Sequence, residues 1–130
     1  MKKSLILLAL LFCAARPILL AQEDPSDLIA KAILQSDAGS LAGYFNTTVD
    51  LGLPDNDNSY SASQGEMVMK DFFRKYPPQS FEVLQKGATD QDNRFIIATY
   101  KTVTKEFSVY IHLRKEKPGY RIHKIKFEDK

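Results

Sequence analysis

Few side chains in this chain of 130 residues could do chemistry, and they are scattered. There are two histidines, His112 and His123. A metal centre ordinarily takes three or four ligands, and a catalytic imidazole needs a partner within hydrogen-bond reach. His112 alternates with Ser108, Tyr110 and Arg114, whereas Phe107, Val109, Ile111 and Leu113 hold the other parity. That places His112 on the polar side of a strand. His123 shares its parity with Arg121, Ile125 and Phe127, so it is expected to be partly buried. Asp71 falls four residues after Met67, at the edge of a helical stripe. Asp71 and His123 are the residues that would act as acid or base if the chain were a small lyase or isomerase. Tyr44, Tyr60 and Tyr100 are polar groups suited to lining a pocket, while Asp50, between Val49 and Leu51, points away from an apolar face. No nucleophile, base and orienting group assemble from these positions. There is no glycine-rich phosphate loop and no nucleophile-elbow motif.

One loop invites a test for calcium. Asp55, Asp57, Ser59 and Glu66 take positions 1, 3, 5 and 12 of a calcium-loop pattern. The sixth position, which needs glycine for its sharp turn, is Tyr60. Glu66 is also explained as the far end of a capping box that begins at Ser63. The segment Pro54 to Ser61 therefore reads as a polar loop, and no metal or other cofactor is expected.

The N-terminus carries the clearest signal. Lys2 and Lys3 precede an apolar run from Ser4 to Ala15, and Leu19-Leu20-Ala21 ends in a small residue. This is the layout of a signal peptide over residues 1–21, cut before Gln22, with export to a periplasmic or extracellular setting. The run is too short to span a bilayer, and Arg16 and Pro17 interrupt it. Cys13 would suit lipidation only with a small residue before it, and Phe12 stands there. Cleavage removes three positive charges and the only cysteine. The mature chain then holds 15 bases against 16 acids, a net charge of −1. Its stability must come from packing, without disulfide, thiol nucleophile or sulfur-bound metal. A near-neutral chain with no aromatic-basic signature is not expected to bind nucleic acid. Charge is unevenly spread: Lys101 to Lys130 contains nine bases and four acids. That is either a solvated, self-complementary surface or a face for an anionic partner such as envelope polysaccharide or lipid head groups. Strict alternation puts Lys124 and Lys126 on one face and Arg121 on the other, which splits the basic residues.

The positioning elements follow from periodicity. Leu28, Ile29, Ala32 and Ile33 recur with helical spacing and predict a helix over Pro25 to Gln35. A shorter helix is expected over Ala38 to Phe45, and a strand over Val49 to Leu53. The third helix runs from the capping box to Tyr76, carries Met67, Val68, Asp71, Phe72 and Phe73, and is stopped by Pro77-Pro78. Four strands follow: Ser80 to Gly87, Arg94 to Thr104, Glu106 to Lys115 and Tyr120 to Glu128. The order is α-α-β-α-β-β-β-β, an α+β domain over residues 22–130 with helices on one face of a curved, mainly antiparallel sheet.

That order, with the run Ile33 to Phe45 (ILQSDAGSLAGYF), Asn46, Val49 to Leu53, Tyr60-Ser61, Phe72-Phe73, Pro78-Gln79-Ser80-Phe81 and Tyr110, resembles a secreted bacterial family, domain of unknown function 4783. The family lies within the nuclear transport factor 2-like, or cystatin-like, superfamily. The resemblance implies a cone-shaped fold, an envelope setting, and a pocket or dimer face. It implies no activity, because the shared motifs are packing motifs. Three readings follow. The first is a non-catalytic domain that binds a small apolar ligand or an envelope protein through the cone pocket or sheet face, with a homodimer as one arrangement. The second is a lyase or isomerase using Asp71 or His123, and the third an anion-binding envelope protein.

Overall fold

The computed structural model describes residues 24–117 and 119–130. The expected leader over residues 1–21, its cleavage point and Cys13 lie outside the described residues. The chain forms α1 (Ser26–Leu34), α2 (Ala38–Ala42), β1 (Phe45–Leu53), β2 (Asn56–Ser61), α3 (Ala62–Lys75), β3 (Ser80–Ala88), β4 (Asn93–Lys101), β5 (Glu106–Glu116) and β6 (Gly119–Asp129). All six strands make one sheet in the order β2-β1-β6-β5-β4-β3. Neighbours are antiparallel except β1 and β6, which run parallel. No described helix is long and apolar enough to cross a membrane.

Each helix has a local cause. α1 buries Ile29, Ala32 and Ile33, and the left-handed Ser36 (φ 55°) then turns the chain. Asp37 caps α2, accepting from the Ser40 amide at 3.0 Å. α2 is shorter than its sequence suggests because Gly43 ends it, and Phe45 already belongs to β1. α3 is capped by Ser61, whose hydroxyl accepts from the Gln64 amide. The cap therefore sits two residues before the expected Ser63.

β2 replaces the polar loop expected there. Pro54 and Asp55 make a two-residue turn, and Asn56 to Ser61 pairs back along β1, from Leu53↔Asn56 to Thr48↔Ser61. The segment NDNSYS has little strand propensity of its own; backbone pairing with a buried neighbour makes it an edge strand.

The core lies between the helices and one face of the sheet. Phe107, Val109, Ile111 and Leu113 of β5 point into it, with Ile96, Ala98 and Tyr100 of β4 and Ile122, Ile125 and Phe127 of β6. Phe72 of α3 anchors an aromatic cluster, 4.5 Å from Phe127 and 5.8 Å from both Tyr100 and Phe107, ring centre to ring centre. These rings fill the middle of the cone. Phe95 is not among them, because it pairs with His112 on the opposite face.

A bulge in β6 changes the outer face. Ile111 pairs with Ile125 and Leu113 with Ile122, so His123 and Lys124 together oppose the single residue His112. The extra residue shifts parity. Arg121 therefore comes to the same outer face as Lys124 and Lys126, contrary to strict alternation.

Candidate functional site

A cleft with a largely apolar wall opens between α3 and the β1–β2 turn. It measures about 330 Å³ and is lined by Leu53, Pro54, Asp55, Asn56, Met67, Val68, Asp71, Phe72, Lys75 and Tyr76. Two adjacent helical rows supply its α3 wall: Met67, Asp71 and Lys75, and beside them Val68, Phe72 and Tyr76. Phe72 forms the floor and belongs to the core cluster. Met67 is 63% exposed, so it does not join the core as its helical spacing suggests; Met69 is the buried methionine of α3. Tyr76 ends the helix and lies between two ammonium groups, Lys75 at 5.5 Å and Lys105 at 5.6 Å from its ring centre.

The charges at the rim are paired. Lys75 Nζ donates to Asp55 Oδ2 at 2.8 Å, tying α3 to the hairpin turn. That bond holds the Asp55 carboxyl below its ordinary range and the Lys75 ammonium above its own. Arg74 donates to Asp71 Oδ1 at 2.6 Å, in a pair that is 77% and 70% exposed. Asp71 is therefore a solvated rim residue rather than a buried base.

The other residues singled out by sequence do not converge on this cleft. Tyr100 is fully buried, and its hydroxyl donates to the Tyr76 carbonyl. Burial pushes that phenol above its ordinary pKa. Tyr44 lines a separate surface groove between α1 and α2 with Leu28, Gln35 and Asp37. Tyr60 is half-buried on β2, where Asn56 donates to its hydroxyl. Asp57 is a β2 ladder residue opposite Gly52, and Glu66 lies in the first turns of α3. With Asp55 held by Lys75 and Asp57 fixed in a strand, the calcium-loop reading loses its loop. Among the described residues no three His, Cys, Asp or Glu side chains group to hold a metal ion.

Both histidines sit on the outer sheet face, away from the cone. Their ring centres are 5.8 Å apart. His112 Nε2 lies 2.8 Å from Asn93 Oδ1. Burial lowers the His112 pKa, and the neighbouring His123, Arg114 and Lys124 charges lower it further. His123 Nε2 approaches Glu116 Oε1 at 3.4 Å but is not aligned for a hydrogen bond. His123 is half-buried, as its sequence pattern suggests, but the bulge parts it from the parity of Ile125 and Phe127 and sets it beside His112 on the far side of the sheet. Asp71 and His123 thus occupy different sides of the molecule and do not form an acid–base pair.

Sequence reasoning missed the cleft because it treated Met67 as core. The four-residue spacing of Met67, Asp71 and Lys75, a row that turns from apolar to charged beside the row Val68, Phe72 and Tyr76, was the available signal.

The fold agrees with known structures. A crystal structure from Bacteroides uniformis superposes with a TM-score of 0.77 at 23% identity, covering 82% of this chain and 98% of that one. A second, from Bacteroides ovatus, gives 0.76 at 24% identity, covering 85% and 98%. Both are described as DUF4783 family proteins. A domain of unknown function with a cystatin-like fold from Nostoc punctiforme gives 0.65 at 11% identity, covering 81% and 72%. These likenesses establish the cystatin-like, nuclear transport factor 2-like fold. No curated protein matches the sequence significantly. The profile of the family described as "Domain of unknown function (DUF4783)" matches residues 26–128, and the chain belongs to that family.

Proposed function

We propose that this is an exported, non-catalytic binding domain that takes a small apolar ligand in the cleft between α3 and the β1–β2 turn. The observation that carries the reading is Met67: a large, adaptable apolar side chain left 63% exposed beside a floor of Phe72 and a wall of Leu53, Val68 and Tyr76. A cleft of about 330 Å³ is at the small end of the range for small-molecule sites, which suits a ligand of modest size. Binding is favoured over turnover because each rim carboxylate, Asp55 and Asp71, is engaged by a cation. The cleft offers shape and apolar contact without an unpaired acid or base. Export rests on Lys2, Lys3 and the apolar run that follows.

Two experiments test this. Titration with 1-decanol, followed by amide chemical shifts, is expected to move Leu53, Met67, Val68, Phe72 and Tyr76 together, and Met67→Glu is expected to abolish the response. No shifts, or shifts spread evenly over the surface, would refute the cleft. For export, the chain produced with its own N-terminus is expected to appear outside the cytoplasm beginning at Gln22. Retention of the full-length chain in the cytoplasm would refute that part.

A further inference from the structure

The outer sheet face carries an arrangement that the cleft does not explain. Arg114 of β5 and Arg121 of β6 are directly opposite each other. Like charges facing across a ladder ordinarily destabilise a sheet. In the next rows His112 faces Lys124 and Tyr110 faces Lys126, with His123 inserted at the bulge. The bulge therefore aligns Arg121, Lys124 and Lys126 along a single strand on one side of the sheet. Among the described residues, Arg114, Arg121 and Lys124 have no carboxylate within 4.0 Å; Arg121 instead donates to the Gly43 carbonyl at 2.6 Å. Lys126 is paired with Glu128 at 2.9 Å.

We propose that this bulged β5–β6 face is a second binding site, for a linear polysaccharide whose sugar rings carry carboxylates. Charge complementarity supplies the first argument: Arg114, Arg121 and Lys124, without carboxylate partners, lie with Lys126 on one face and set a track for a single anionic chain. The margins supply the second. Asp50 pairs in register with Lys124 from the β1 side, Glu116 lies beside His123, and Glu128 lies beside Lys126. These carboxylates would repel a broad anionic plane such as a lipid surface, yet they leave the narrow track open. Tyr110, 39% exposed and opposite Lys126, adds a ring face against which a sugar can lie. The site is on the opposite side of the sheet from the Met67 cleft, so each stands without the other.

The test is titration of the chain with oligogalacturonate at low ionic strength, read by calorimetry. Binding is expected, and Arg114→Glu with Lys124→Glu is expected to weaken it at least tenfold. The control Lys31→Glu with Lys70→Glu alters two exposed helix lysines by the same total charge and is expected to stay within twofold. If charge reversal prevents folding, Arg114→Gln with Lys124→Gln is expected to weaken binding severalfold while the thermal melt stays cooperative. The proposal is overturned if oligogalacturonate does not bind, or if the two charge-reversed pairs lose affinity equally. Binding only to phosphatidylglycerol vesicles, or only to a single-stranded oligonucleotide, also overturns it.

Discussion

The Tyr100 hydroxyl, in the middle of the sheet, donates to the main-chain carbonyl of Tyr76, the residue that ends α3. This bond satisfies a carbonyl that the helix terminus leaves without an internal partner. It also fixes the height of α3 above β4, and with it the cleft wall formed by Val68, Phe72 and Tyr76. Tyr100→Phe keeps the ring packing against Phe72 and Phe127 and removes only the donor. The expected loss is about 1–3 kcal/mol, the cost of leaving a buried acceptor unpaired. Chemical denaturation checks it. Burial raises the phenol pKa, so the native state resists its ionisation. The stability tied to it is complete below the ordinary phenol range and is lost as pH climbs above about 10. Ultraviolet titration should show one tyrosine that ionises only when the chain unfolds.

Gly65 is a point of close approach between α3 and β1. A Cβ there would stand 3.0 Å from Val49 Cγ1 and 3.1 Å from Phe45 Cε2, both on buried core residues. Gly65→Ala gains roughly 1 kcal/mol of helix propensity. Overpacking of this kind typically costs about 1–3 kcal/mol. The expected net is a loss of up to about 2 kcal/mol, with β1 amide shifts displaced. Calorimetry together with an NMR spectrum decides the sign.

Gly87 on β3 pairs with Phe95 on β4, and a Cβ at Gly87 would meet the Phe95 ring tip at 2.5 Å. The ring covers a residue that has no side chain, a device that restores packing over a strand glycine. Gly87→Ala should push the half-buried ring toward solvent, at a cost of about 1 kcal/mol. Nuclear Overhauser contacts between Phe95 and Gly87 should vanish in the variant.

His112 makes stability depend on pH. Its folded pKa is depressed, first by burial and then by the nearby His123, Arg114 and Lys124 charges, with Asp90 opposing. The unfolded chain therefore takes up the proton more readily. The contribution is fully present above the ordinary imidazole value of about 6.5 and is lost as pH falls through the folded value. The melting temperature should decline between pH 7 and pH 5, and less steeply in His112→Gln. An imidazole NMR titration should place the His112 midpoint below 6.5.

How far the sequence reaches is clear from particular elements. β5 announces itself through Phe107, Val109, Ile111 and Leu113, because one buried face imposes a period of two. α3 is bounded by Pro77-Pro78, because a ring nitrogen cannot continue the ladder. β2 is hidden, because Asn56 to Ser61 owes its conformation to β1 and not to its own side chains. The bulge at His123 is hidden for a related reason: Ile122, His123, Lys124 and Ile125 show two polar residues where one is expected, and only the β5 register decides which of them is extra. Both missed features bear on the two proposed sites. One shapes the hairpin turn that walls the cleft, and the other gathers the cations of the outer face.

β6 is the last strand in the chain yet lies in the interior of the sheet, between β1 and β5. Its parallel partner β1 begins at Phe45, more than seventy residues earlier. Contacts this distant in sequence close slowly, since the intervening loop must lose its freedom before they form. Until Gly119 to Asp129 is in place, no strand pairing joins the β1–β2 hairpin to the β3–β4–β5 meander. The placement of one strand thus sets the timing of assembly: the sheet closes only when Gly119 to Asp129 is present, and loss of that strand opens the middle of the molecule and not its margin.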